Sequence, residues 1–173
     1  SSTSRPPLAS RILIPDHLAI WGLLATLRSL VVILSRKVDA IYATSPLQSS
    51  LVAGYLLRRM TGVPFVVEMR DPWTTNPMAA PRASRFLCWI DALLEEKVLL
   101  AADRVVVINE NFIPSICQKF PGVDEGKFVV IPNGFDFDDF DQVAPIYNAR
   151  FTIVHAGNFY PGRTPIPFLS ALA

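Results

Sequence analysis

The sequence has little of what many familiar chemistries require. It holds two cysteines, Cys88 and Cys117, and two histidines, His17 and His155, in 173 residues. Both cysteines lie in apolar helical contexts, FLCWI and IPSICQKF. They read as reduced thiols in core or half-buried positions, not as a disulfide framework or a metal site. The histidines have no clustered ligands and no paired nucleophile nearby in sequence, so neither metal nor triad chemistry is expected. Charge is also sparse: 18% of residues are charged and the formal net charge is +1. A nucleic-acid partner needs a basic footprint, so none is expected. There is no G-x-S-x-G elbow and no G-x-G-x-x-G fingerprint, which counts against an α/β-hydrolase and against a dinucleotide site. The start, SSTSRPPLASR, lacks the basic-then-apolar order of a signal peptide.

The longest apolar run, Leu18 to Leu34, falls short of the about 20 residues a spanning helix needs. It also carries Arg28 near its middle, which is costly in hydrocarbon. The run is expected to be a helix that packs on the domain or lies on a membrane surface. Trp21, Arg28, Arg36 and Lys37 would suit the latter.

What is present is a folding sequence. Hydrophobic residues make up 51% of it, too many for a disordered chain. Its 15 prolines, about 9% against an ordinary 5%, mostly sit where elements start or stop. Length allows one domain, or one and a fraction.

Two hydrophobic periods alternate along the chain. Asp39–Thr44 reads as a buried strand. Ser45-Pro46 follows as a helix cap with proline at the first helical position. The helix runs to about Met60 and stops at Thr61-Gly62. Phe65–Met69 is a second strand and Arg70–Pro81 a loop. A helical pattern spans Arg82–Ala102, with Phe86, Trp89, Ile90, Leu93, Leu94, Val98 and Ala101 on one stripe. Arg104–Ile108 is a third strand, Asn109 caps a helix over Glu110–Phe120, and Lys127–Ile131 is a fourth strand. Phe135–Ala149 looks like a linker. Phe151–Ala156 begins a new strand, followed by a loop and a helix from Pro165 to Ala173. The βα order with apolar strands predicts an α/β fold: a Rossmann-like parallel sheet with helices on both faces and right-handed crossovers. Residues 1–134 are expected to form one sheet domain, 135–150 a linker, and 151–173 the first β-α unit of a truncated second domain.

Open α/β sheets bind ligands beyond the carboxyl ends of their strands. That rule selects Thr44-Ser45, Arg70-Asp71-Pro72-Trp73, Asn109-Glu110-Asn111, and Gly157 to Arg163. Arg70, Asp71 and Trp73 together offer a bidentate cation, an acceptor and a stacking face, which suits a sugar. Equally, an Arg–Asp pair could close the loop onto the sheet with Trp73 as a lid over the core. Gly157 would let a ligand approach the backbone, and Arg163 could meet a diphosphate; an ordinary βα turn with a solvated arginine remains the alternative. Asp136-Phe137-Asp138-Asp139 resembles a D-x-D metal motif but reads as a solvated acidic run whose aspartates cap a short helix.

Several segments in order resemble a family-4 glycosyltransferase with two Rossmann domains, the GT-B type: DAIYATSP (39–46), GVPFVVEMRDPW (62–73) with the RDPW variant of one branch, ADRVVVINE (102–110), VIPNGFD (130–136) and FTIVHAGNFYPGR (151–163). The resemblance implies retaining transfer from a nucleotide-sugar to a lipid-linked, polysaccharide or other glycan acceptor, in a cleft between domains. It implies no cofactor and no metal. It carries a catalytic role onto Arg70 and Asp71, and donor diphosphate binding onto Gly157, Asn158 and Arg163. Acceptor binding falls to Ser45, Trp73 and Asn109. It further implies a cytoplasmic bacterial enzyme of polysaccharide or cell-envelope synthesis, peripheral at the inner membrane face through Leu18–Leu34. The family's glycine-rich first strand and its paired glutamates are not found, so the chain reads as an inactive fragment of an active parent. A nucleotide-sugar epimerase of the same fold, and a noncatalytic scaffold at a membrane, are the other readings.

Overall fold

A computed structural model describes residues 12–76, 82–141, 147–159 and 164–172. The chain forms a larger compact unit, Pro6–Asn133, and a smaller one that includes Gly134–Ala173.

The larger unit begins with helix α1, Ala19–Ser35, and then alternates strand and helix. The elements are β1 (Ile41–Thr44), α2 (Gln48–Thr61), β2 (Phe65–Met69), α3 (Arg85–Ala101), β3 (Arg104–Val107), α4 (Phe112–Lys119) and β4 (Phe128–Val130). All three strand pairings are parallel, and the order in the sheet is β1-β2-β3-β4. This is the parallel α/β sheet that the alternation predicts.

Register decides which side chains share a face. Ala43, Val67, Val105 and Phe128 form one row across the sheet. That row, with Phe65, Met69 and Val107, packs against Leu51 of α2, Val98 and Leu99 of α3, and Ile116 of α4. Strands that neighbour one another in sequence and cross over right-handedly place successive helices on the same side, and the core follows that rule. The alternate row, Thr44, Glu68, Val106 and Val129, faces the other way. Tyr42, Thr44 and Val129 on that side are exposed. The core cluster lies on the side of the first row; on the other side Val106 is buried as well, at 7% exposure.

Local signals set most boundaries. Gly62 closes α2 in the left-handed conformation at φ 73°, its N–H reaching Arg58 O at 2.9 Å, as a C-terminal glycine should. Ser84 caps α3 by accepting from the Leu87 N–H at 3.3 Å. Asp103 receives the Phe65 N–H at 2.8 Å and pairs with Arg58 at 3.2 Å, tying the entries of β2 and β3 together. Gly54 has a packing reason: a Cβ there would lie 2.3 Å from Phe65 Cε2, so only glycine lets α2 approach β2 this closely.

Three expectations are corrected. Ser45 does not cap α2, whose N-cap position is Leu47 with no side-chain bond; the Ser45 hydroxyl is taken by the Arg70 N–H instead. Asn109 does not begin α4, which starts at Phe112; its carboxamide accepts from the Asn111 N–H at 2.9 Å in a tight turn. In the smaller unit, Phe151–Ala156 is not a strand. A strand needs a hydrogen-bonded neighbour, and among the described residues nothing pairs with this one. The final helix is present as α5, Ile166–Leu172. No described helix is long and apolar enough to cross a membrane.

Candidate active site

Parallel strands bring their carboxyl ends to one edge, and there Ser45, Arg70 and Asn109 leave β1, β2 and β3. The first two exits are joined. Ser45 Oγ accepts the Arg70 N–H at 3.1 Å, and the Ser45 N–H donates to Glu68 O at 2.9 Å. Ser45 is 2% exposed, so its hydroxyl shapes this edge from beneath. Arg70 and Asp71 stand just above it and are exposed. Neither makes an ion pair among the described residues, so the expected alternative of an Arg70–Asp71 clasp is not what closes the loop. Asn109 is also exposed, with its carboxamide oxygen engaged in its own turn.

Trp73 does not present a stacking face. It is 5% exposed and belongs to the core cluster, so it acts as the lid over the core that the sequence also allows. Its backbone neighbour Thr74 is gripped from below: Glu95 Oε2 accepts from the Thr74 N–H at 3.1 Å and from the Thr74 hydroxyl. Lys119 of α4 donates to that hydroxyl. On the far side of the loop, Arg82 pairs with Asp91 and donates to Leu13 O at 3.0 Å and to Pro15 O.

Asp91 and Glu95 are thus the two posts on which the loop after β2 rests. They lie four residues apart on one face of α3, in line with Val98 and Leu99, and are 4% and 1% exposed. Burial raises the carboxyl pKa of both. The Arg82 guanidinium pulls Asp91 back down, as does the nearby Trp73 indole N–H, which does not complete a hydrogen bond. The Thr74 bonds and Lys119 pull Glu95 down. One oxygen on each carboxyl, Asp91 Oδ1 and Glu95 Oε1, has no hydrogen-bond partner among the described residues. Sequence reasoning missed both residues. Their i, i+4 spacing in register with Val98 was the available signal, but the aromatic stripe of the same helix outweighed it.

The predicted donor residues belong to the smaller unit. Gly157 has φ +143°, a conformation that residues with a side chain rarely adopt. The rings of His155 and Phe159 stack at 4.4 Å on either side of Gly157-Asn158 in sequence. Arg163 lies outside the described residues. The acidic run shows a turn in which Asp136 Oδ1 accepts the Asp138 N–H at 3.0 Å. Among the described residues no three His, Cys, Asp or Glu side chains group as a metal site.

No curated protein matches the chain. A family model, described as a glycosyl transferase 4-like domain, matches residues 4–134. That stretch coincides almost to the residue with the end of the larger compact unit at Asn133, and it contains the joined strand exits and the braced loop. By this match over most of its length, the chain belongs to the glycosyl transferase 4-like family.

Proposed function

We propose that the larger unit is the acceptor-side domain of a two-domain GT-B glycosyltransferase of the RDPW branch, which transfers a sugar from a nucleotide-sugar with retention. The observation that carries this reading is the pair Arg70 and Asp71: exposed and without an ion pair among the described residues, at the carboxyl end of an interior strand, on a loop braced by two buried carboxylates. A braced loop holds a charge where bonding changes, without reorganisation at the moment of reaction. In this reading Arg70 and Asp71 act on the acceptor and the breaking glycosidic bond, and Asn109 borders the acceptor. Ser45 and Trp73 hold the edge rather than touch the sugar. Gly157, Asn158 and Arg163 meet the donor diphosphate.

The test is release of nucleoside diphosphate from a panel of nucleotide-sugars by the full protein, with glycan and lipid-linked acceptors. Arg70→Ala should lower turnover by about a hundredfold, the scale of one lost electrostatic donor, with the fold unchanged by circular dichroism. Unaltered turnover in that variant would remove Arg70 from the site.

Gly157 gives a second expected result. Gly157→Val must leave φ +143° and places a branched side chain where the backbone would approach the diphosphate. Donor affinity should fall about tenfold or more while thermal unfolding of the larger unit stays put. Calorimetric titration with the donor checks the first, and a melting curve the second.

A further inference from the structure

Glu95 is poorly compensated for its burial. It is 1% exposed, and a carboxylate taken out of water needs good partners on both oxygens. Oε2 has them: the Thr74 N–H at 3.1 Å and the Thr74 hydroxyl. Oε1 is buried with no partner among the described residues. Lys119, which is exposed, bonds to the Thr74 hydroxyl rather than to the carboxylate. A glutamine would accept both Thr74 bonds without the charge. An ionisable group buried on such terms is the mark of a working site, where stability is given up for function.

Its two bonds end on a short span. The Arg70 N–H is held by Ser45 Oγ at 3.1 Å, and Thr74 is held by Glu95. Between these anchors Pro72 fixes its own φ and disfavours the helical region for Asp71. Few soft torsions are left. Trp73 packs into the core within the same span, but apolar contact has no direction. Hydrogen bonds do. An N–H and a hydroxyl of one residue, both meeting one oxygen, fix how the segment is turned as well as where it lies. Arg70 and Asp71 stand exposed at the other end of that segment, so a rotation at Thr74 changes where their charges point.

We propose that Glu95, acting through Thr74, is a positioning residue for Arg70 and Asp71. It touches no substrate. It sets the angle at which the two charges meet the reacting sugar, and in this the inference rests on the sugar transfer proposed above.

The test sets turnover against stability. Glu95→Gln keeps the length and an accepting oxygen and removes the charge. At neutral pH its urea midpoint should equal or exceed that of the unsubstituted chain, as when a buried charge is neutralised. Turnover of nucleotide-sugar by the full protein should nevertheless fall about tenfold, less than the loss a 1 Å misplacement can cause. Orientation is lost and ground-state contact is not, so KM for the acceptor should hold. Thr74→Val should reproduce the drop in turnover, and Thr74→Ser, which retains the hydroxyl, should recover most of it. A pin that only stabilises the fold gives the reverse: a lower urea midpoint with kcat per folded molecule intact.

A second readout needs no transfer. With Trp21→Phe and Trp89→Phe, both at exposed positions, Trp73 is the one tryptophan left. Acrylamide should quench it about twofold faster in Glu95→Gln and Thr74→Val, as local opening of the segment becomes easier. Unchanged quenching in both variants, or wild-type turnover per folded molecule, overturns the proposal. If Trp73 loosens as expected but no nucleotide-sugar is turned over, the sugar-transfer reading falls, and Glu95 is still shown to hold the segment.

Discussion

Replacing Asp91 by alanine is expected to destabilise the larger unit by about 3 kcal/mol, the lower end of what breaking a buried ion pair costs. The Arg82 and Asp91 side chains are 14% and 5% exposed. Removing the carboxylate strands a guanidinium that water reaches poorly. The carbonyls of Leu13 and Pro15 still accept from it, which keeps the loss from being larger. Arg82→Ala should behave differently with pH. It leaves a carboxyl whose pKa burial already raises, and which can take up a proton. Its cost should therefore shrink in acid, whereas that of Asp91→Ala should not. Urea unfolding of both variants across pH separates the two.

The same burial fixes the sign of the intact protein's response. Both carboxyls titrate higher in the folded chain than in the unfolded one. Between the ordinary carboxylate range and these raised values the folded state holds more protons. The contribution of the pair is thus fully present below the unfolded pKa and declines as pH climbs through the folded one. Glu95→Gln, which cannot ionise, should flatten part of that decline.

Gly54→Val should cost at least about 3 kcal/mol, the upper range for overpacking a tight core. The first added carbon alone would sit 2.3 Å from Phe65 Cε2 and 3.2 Å from Ala43 Cβ. Phe65 is fully buried in the centre of the core, so the ring has no free direction in which to move. Even Gly54→Ala should destabilise, although alanine gains about 1 kcal/mol over glycine in a helix. Shortening the obstacle tests the cause: Phe65→Leu should restore part of the loss in Gly54→Ala, a coupling that a double-mutant cycle measures. Additive losses would place the strain elsewhere.

The sheet was legible in the sequence because its strands are short apolar runs bounded by proline, glycine and charge. Phe65–Met69 was read to the residue, and β1, β3 and β4 within two residues at either end. Arg70 and Asp71 were legible for the same reason: they follow the apolar run at a known edge. Which way α1 and α3 turn was not. Periodicity locates an apolar stripe, and ordinary helices bury it; here α1 exposes it along its length, and α3 exposes the Phe86 and Trp89 end while burying Val98. Asp91 is buried because Arg82 and the Trp73 indole meet it from the neighbouring loop, and Glu95 because Thr74 bonds it. Those partners come from folding, and hydrophobicity carries no trace of them. Trp73 illustrates the limit well. Its type suits both a sugar platform and a core plug, and only the position of α3 beneath it decides. Ser45, likewise a good cap by type, went to the Arg70 N–H.

The sheet order has a consequence for how the chain acquires its shape. Each strand pairs with the one just before it in sequence, and each pairing spans one intervening helix. No strand has to wait for a distant partner, so loop-closure entropy is met in small instalments. On a ribosome, β1 and β2 could pair before β3 is made, and every later β-α unit would add to a finished edge. Synthesis order and spatial order run in the same direction, from β1 to β4.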